Sequence, residues 1–448
     1  MMKTIISILI MSCLLATSII NMHAYELEEN NAGKMIDPVV SYSDSFSGYI
    51  LYNELWGGTT FLIDDTKKVV HKWENLRIGM DAHLLENGTL LRSCSKLNFN
   101  FFNFMKRAVF VGGTGRVEKR DWNNSLLWEF EYSDNAHYLH HDIEPLPNGN
   151  ILMIAYEKKT RREAIDAGRN PNLVYYAGIW PDHIIEVEPT LPSGGTIVWE
   201  WHAWDHLIQD FDPTKANYGV VADHPELIDI NLHSPILDWM HINSVDYNEE
   251  FNQILLCPPN FNEIWVIDHN TTTAEAAGHT GGRYGKGGDL LYRWGNPKNY
   301  RAGDEEDQQF FFQHDSRWID PGCPGEGHIL VFNSQRNPSS VDEIIPPVDS
   351  YGTYYLEPGK AYGPEKPIWS ISAVYPYNFD SIAYSGAQRL PDGNTLISST
   401  GDSSFFVLTP LKELIWKYTY APIGIQETFK MEYYPLDYPG VQNLSLHK

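Results

Sequence analysis

The sequence predicts an all-β protein, a six-bladed β-propeller with long inserted loops, and three observations carry that reading. Strands ending in tryptophan recur six times, a second unit with an Asn-Gly or Asp-Gly turn alternates with them, and helical periodicity is weak throughout. A unit too small to bury its own faces must stack on copies of itself, and radial stacking leaves only short, protected sheet edges.

The elements follow in chain order. Residues 1–24 open with Lys3, continue as an apolar run from Ile5 to Ile20 and end on Ala24. That order predicts a secretory signal peptide, and so a secreted or periplasmic protein. Residues 25–47 form a lead-in and the propeller spans 48–448. The tryptophan strands end at Trp73, Trp128, Trp199, Trp294, Trp369 and Trp416. Such residues are expected as core anchors, one per blade. The alternating unit reads Leu85-Glu86-Asn87-Gly88, Leu146-Pro147-Asn148-Gly149 and Leu390-Pro391-Asp392-Gly393. It predicts two-residue hairpins with both central residues at positive φ. One such hairpin plus a second closing on Trp makes a four-stranded blade. Six tryptophans then imply six blades, with insertions at 157–182, 203–236 and 336–352.

Composition narrows the function. Acidic residues number 58 against 33 basic ones, a net charge of −25, which disfavours nucleic acid and anionic membrane as partners. No stretch after the leader is apolar for long enough to span a bilayer. Beyond the leader the cysteines are Cys94, Cys257 and Cys323, so at most one disulfide can form. The glycine-rich run 281–288 lacks the Gly-Lys-Ser/Thr ending of a phosphate loop and reads as a connection between two strands. No metal or cofactor is expected.

The chemistry collects just ahead of the turn units. One blade enters with His140-His141-Asp142, another with Asp238-Trp239-Met240-His241-Ile242-Asn243-Ser244, a third with Phe312-Gln313-His314-Asp315. Met80 and Ser385 hold the frame elsewhere. The innermost strand of a blade starts at the mouth of the central channel, so His141, His241 and His314 are expected around one pocket. Three chemistries suit three imidazoles. They could line a polar channel through water, hold a metal without any short HxH or HExxH signature, or act as nucleophile and acid–base groups.

Longer phrases add a resemblance. His140 to Asn150, Asp238 to Val245, Gln313-His314-Asp315 with Gly327 to Asn333, Val69 to Trp73 and Gly288 to Pro297 resemble the bacterial arylsulfate sulfotransferases, from about residue 48 to 420. The resemblance implies a secreted six-bladed propeller that needs no nucleotide donor or other cofactor. It implies transfer of a sulfuryl group from an aryl sulfate to a phenol through a transient sulfohistidine. The family's nucleophile falls on His314, and its assisting histidines on His241 and His141. Asn243 of the His-x-Asn-Ser phrase is a candidate substrate contact. The family's sulfuryl-gripping arginine falls on Pro259, which has neither charge nor donor. Arg317 and Arg336 are the candidate replacements. An alternative follows, a propeller that lost catalysis and binds a ligand or a protein. A quinone-dependent dehydrogenase, whose blades also end in Trp, lacks support in blade number and in a calcium-ligating acidic site. A guanidinium beside the imidazoles would favour the enzyme.

Overall fold

A computed structural model describes residues 46–55, 57–74, 77–96, 112–232, 237–374, 377, 379–420 and 428–445. The expected signal peptide and nearly all of the lead-in lie outside them. Six four-stranded antiparallel sheets make the propeller. Blade 2 comprises Gly79–Leu84, Leu90–Ser95, Gly115–Arg120 and Leu126–Glu131, and blade 3 His137–Pro145, Ile151–Glu157, Asp182–Pro189 and Gly195–His202. Blade 4 comprises Val245–Asn248, Gln253–Leu256, Ile264–Asp268 and Tyr292–Trp294. Blade 5 has His314–Trp318, Ile329–Asn333, Ser340–Ile344 and Trp369–Ser372, and blade 6 Gly386–Arg389, Thr395–Ser399, Ser404–Leu408 and Leu414–Thr419. Blade 1 takes its outer strands, Tyr49–Asn53, Thr60–Asp64 and Val69–Trp73, from the start of the described chain and its innermost strand, Met431–Tyr434, from the end. Tyr49 pairs with Tyr434 there, so hydrogen bonds close the ring. Cys94, Cys257 and Cys323 are buried free thiols.

The outer tryptophans do more than fill the core. Each indole N–H donates across to the neighbouring blade, at its third-to-fourth-strand connection. Trp73 bonds the Asp121 carbonyl, Trp128 the Gly194 carbonyl and Trp199 the Thr271 hydroxyl. Trp294 bonds the Pro364 carbonyl, Trp369 that of Pro410, and Trp416 that of Asp65, which completes the circle. A buried indole needs an acceptor, and this geometry supplies one at every blade junction.

Two expectations are corrected. The three Asn-Gly and Asp-Gly turns are three-residue loops: Leu85, Leu146 and Leu390 each accept from the glycine three residues on and donate to the carbonyl four residues on. Only Gly88, Gly149 and Gly393 have positive φ. Pro147 and Pro391 account for two of the three, because proline's fixed negative φ suits the first corner of a type I turn and excludes a type I′ turn; the third has Glu86 at that corner and folds the same way. The expected 336–352 insertion also contains the third strand of blade 5, and the long loop there runs over 345–368. The other two insertions carry the short helix Arg161–Asp166 and a two-strand parallel pair, Leu207–Ile208 with Ile228–Asp229. Among the described residues no helix is long and apolar enough to cross a membrane.

Candidate active site

The innermost strands of blades 3 to 6 share one register around the axis, which their hydrogen bonds reveal. The Asp142 carboxylate accepts from the Val245 N–H, the Ser244 hydroxyl from the Ser316 N–H, and the Asp315 carboxylate from the Ala387 N–H. Each latch joins one blade's side chain to the next blade's backbone, one residue further along. Asp142, Ser244 and Asp315 are therefore equivalent, and the position just before them holds His141, Asn243 and His314. His241 sits two residues ahead of that frame. It still reaches the same place: the His141 and His241 rings meet edge to face at 4.5 Å. Phe312 links them onward, 6.2 Å from His241 and 5.3 Å from His314, centroid to centroid.

The backbone bends to present these rings. The ladders of blades 2, 3 and 5 break at one level, between Gly79 and Ala82, Leu139 and Ile143, and His314 and Arg317. Positive φ recurs at the same entrances, at His141, His241, Phe312, Asp315, Tyr384 and Ser385. Bulges and left-handed non-glycine residues cost energy, and they gather where side chains must be aimed. Gly112, at φ +85°, lets the backbone lie against the imidazole; a Cβ there would fall 2.1 Å from His141.

Each imidazole has a different electrostatic setting. His314 directs Nδ1 at the Phe312 carbonyl, 3.0 Å away, and at the Ser334 hydroxyl, 2.9 Å away. A carbonyl only accepts, so Nδ1 carries the proton and Nε2 holds a free lone pair. Burial, helped by His241, pushes the His314 pKa down to about 3, which keeps the ring neutral. His241 differs. Its Nδ1 lies 2.5 Å from the Asp238 carboxylate, which also accepts from the Tyr156 hydroxyl at 2.9 Å. Burial opposes its charge, yet Asp238 and Asp182 outweigh burial and raise its pKa. His141 shares a 2.8 Å Nδ1–Nδ1 hydrogen bond with His140, whose Nε2 lies 3.0 Å from Asp182. Burial and the neighbouring imidazoles hold His141 well below the ordinary histidine range. The pocket thus offers one raised and two lowered imidazoles, an acid beside candidate nucleophiles.

Asn243 spends its amide N–H on the Gln313 carbonyl, 2.9 Å away, and so fixes the residue before His314, while its buried Oδ1 has no partner among the described residues. Pro259 is buried in a short turn, Pro259–Phe261. Arg317 lies deeper along the axis, where its guanidinium pairs with Asp315 at 3.0 Å and Glu432 at 2.9 Å. Arg336 is 42 % exposed and faces Asp342 at 3.6 Å. Among the described residues, the groups acting on the charge of His141, His241 and His314 are the Asp238 and Asp182 carboxylates, His140 and one another, with no guanidinium. Tyr156, Asp182, Ser334 and Phe312 escaped the sequence reading as site residues. Of the groups that tune the imidazoles, His140, Asp238 and Phe312 stand in the quoted phrases, though none of them was read there as a site residue.

Below the imidazoles the channel is charged. Two residues past the latch level, His83, Glu144, Asp246, Arg317, Gln388 and Glu432 line a cavity of about 110 Å³ with Lys430. Lys430 binds Asp142 at 2.7 Å and approaches Asp81 and Glu432 at 3.5 and 3.7 Å. Burial works against the ammonium, but these carboxylates hold its pKa well above the usual value.

Comparisons with known proteins complete the picture. No curated protein sequence matches. Among solved structures, a Bacteroides caccae protein of unknown function is 12 % identical, with 86 % of this chain and 98 % of that one covered at a TM-score of 0.47. The β-propeller domain of Myceliophteria thermophila Cps50 is 11 % identical, covering 89 % and 96 % at 0.44. A putative 6-phosphogluconolactonase from Bacteroides fragilis is 10 % identical, covering 89 % and 100 % at 0.41. Likenesses this remote carry no functional argument. The family model for arylsulfotransferase (ASST) matches residues 48–339, a span that includes His141, His241 and His314. A propeller with this match over more than half its length belongs to the arylsulfotransferase family, whose members are sulfotransferases of small aryl substrates.

Proposed function

We propose that this protein moves a sulfuryl group from an aryl sulfate to a phenol in two steps, with His314 as the nucleophile. The observation that carries the reading is the tautomer of His314: its Nδ1–H is committed to the Phe312 carbonyl, so Nε2 holds the lone pair. Nε2 attacks sulfur and the bond from sulfur to the aryl oxygen breaks. The leaving oxygen takes a proton from the His241 imidazolium, which Asp238 maintains. The acceptor phenol then returns a proton to His241 as its oxygen attacks sulfur, the N–S bond breaks and His314 is restored. His141 and Asn243 border the sulfuryl oxygens in this scheme, and Phe312, Tyr384 and Phe429 supply aromatic walls. The family arginine's absence at Pro259 removes a contact of the kind that costs on the order of 10²–10³ in rate.

The test mixes the purified protein with a chromogenic aryl sulfate, with and without a phenol acceptor, beside His314→Ala. Release that rises with acceptor and vanishes in the variant supports the scheme. Release equal in both proteins refutes it. A second reading rests on the engaged Arg317 and the outlying Arg336: a propeller that binds phenols without turning them over. Tight phenol binding with no release on several donors would support that one. The leader at 1–24 accords with export, and N-terminal sequencing of exported protein should then begin after Ala24.

A further inference from the structure

We propose a divalent transition-metal site, of zinc type, at His206, His279 and Asp289, away from the imidazole pocket and independent of the sulfuryl-transfer reading. The chain folds around it for an identifiable reason. The glycine-rich run between the last two strands of blade 4 closes on itself through Gly287 N–H to the Gly281 carbonyl and Gly288 N–H to the Gly278 carbonyl. That closure brings its two ends, His279 and Asp289, side by side. The insertion after blade 3 delivers His206 to the same spot. Ligand atoms of all three lie within 4.8 Å of one another.

The hydrogen bonds at His206 point to a cation. Its Nε2 lies 2.9 Å from the Ala276 carbonyl, which only accepts, so Nε2 carries a proton. In a neutral ring Nδ1 then presents a lone pair, yet it faces Asp289 Oδ1 at 2.8 Å. His279 Nδ1 faces the same oxygen at 2.7 Å. His279 can donate to that oxygen from a neutral Nδ1–H, but His206 needs either an imidazolium charge on a fully buried ring or a metal between its Nδ1 and the carboxylate. The surroundings match a ligand held in place. Trp201 stacks on His206 at 5.6 Å with planes 6° apart, and its indole N–H bonds the Gly288 carbonyl next to Asp289. A ligating imidazole whose other N–H is fixed by a carbonyl is the usual outer support of a metal centre. Two imidazoles and one carboxylate suit zinc, with a fourth position left open. His279 also borders a cavity of about 490 Å³ with Trp204, Asp205, Tyr218 and His224, which gives that position access to solvent or to a small ligand.

The test uses the whole protein, stripped with a chelator and titrated with Zn²⁺ alone against a chromophoric competitor, beside His279→Ala and His279→Gln. His279 is 57 % exposed, so both variants should fold. The expected result is one Zn²⁺ per chain, with affinity about 100-fold weaker in either variant. Co²⁺ in place of Zn²⁺ should give visible d–d absorption that both variants lose. No stoichiometric binding by the parent protein, or binding unchanged in both variants, would overturn the site and leave a charged histidine–aspartate cluster.

Discussion

The Phe312 carbonyl oxygen sits 3.0 Å from His314 Nδ1, and both residues lie where the innermost strand of blade 5 begins. The left-handed backbone at Phe312, φ 54°, belongs to the turn that places this carbonyl under the ring. A local backbone group thus selects which nitrogen faces the pocket. Ser334 adds a second acceptor, and its own hydroxyl donates to the Tyr384 carbonyl at 3.3 Å. Ser334→Ala removes one of two acceptors and should lower kcat by no more than about tenfold, in keeping with one hydrogen bond of roughly 1 kcal/mol. His314→Ala should remove acceptor-dependent turnover altogether. Steady-state assays of both variants check the contrast.

Asp238 sets the alkaline limit of the proposed acid. A raised His241 pKa keeps the ring protonated to higher pH, so activity that needs the imidazolium falls only as pH rises through that raised value. Asp238→Asn takes away the largest opposing charge while burial remains. The descending limb of the pH–kcat profile should therefore move to lower pH. An unmoved limb would exclude His241 as the acid.

Buried neutral histidines make the fold acid-sensitive. His314 and His183 are both pushed down to about 3, chiefly by burial. The unfolded chain protonates them near 6.5 and the folded chain does not, so the unfolded state binds more protons between those values. Their contribution is intact above about 6.5 and declines toward about 3. Urea midpoints measured from pH 7 to pH 4 should fall, and should fall less in His183→Gln.

Lys430 is the counter-charge of the channel. Lys430→Met leaves Asp142 without its cation at 2.7 Å, while Glu432 keeps Arg317 at 2.9 Å and Asp81 keeps His83 at 2.8 Å, and should cost about 3–5 kcal/mol near neutral pH. Uncompensated carboxylates take up protons more readily, so the deficit should shrink as pH falls. Denaturant melts at pH 8 and pH 5 test both statements.

The indole circle predicts a small, local penalty. Trp416→Phe keeps most of the buried ring and removes the N–H bond to the Asp65 carbonyl, at 2.9 Å. Loss of that bond should destabilise by about 1 kcal/mol. Trp416→Ala should cost about 3–5 kcal/mol, since it also opens a cavity. Equilibrium unfolding of the two variants separates bond from volume.

Much of the fold was legible because its signals are local. The six tryptophans marked the six outer strands, and the Asn-Gly and Asp-Gly turns marked hairpins, since strand patterning and turn residues act over a few positions. The turn type was misread at all three, and in two of them Pro147 and Pro391 set the first corner against the mirror-image turn. The third strand of blade 5, Ser340–Ile344, was hidden between prolines at 338 and 346. Of the site, His141, His241 and His314 were readable from recurring phrases. The distant groups that tune them were not, because Tyr156 reaches Asp238 across 82 positions and Ser334 reaches His314 across 20.

Blade count and family could be read from short motifs repeated along the chain, and the same phrases pointed to His141, His241 and His314. Tertiary structure alone decided that Met431–Tyr434 closes blade 1, that Arg317 is held by Glu432, and that His206 meets His279 and Asp289. It also decided which imidazole is raised and which two are lowered. Protonation follows burial and the distance to a carboxylate, and both quantities exist only once the blades have closed around the axis.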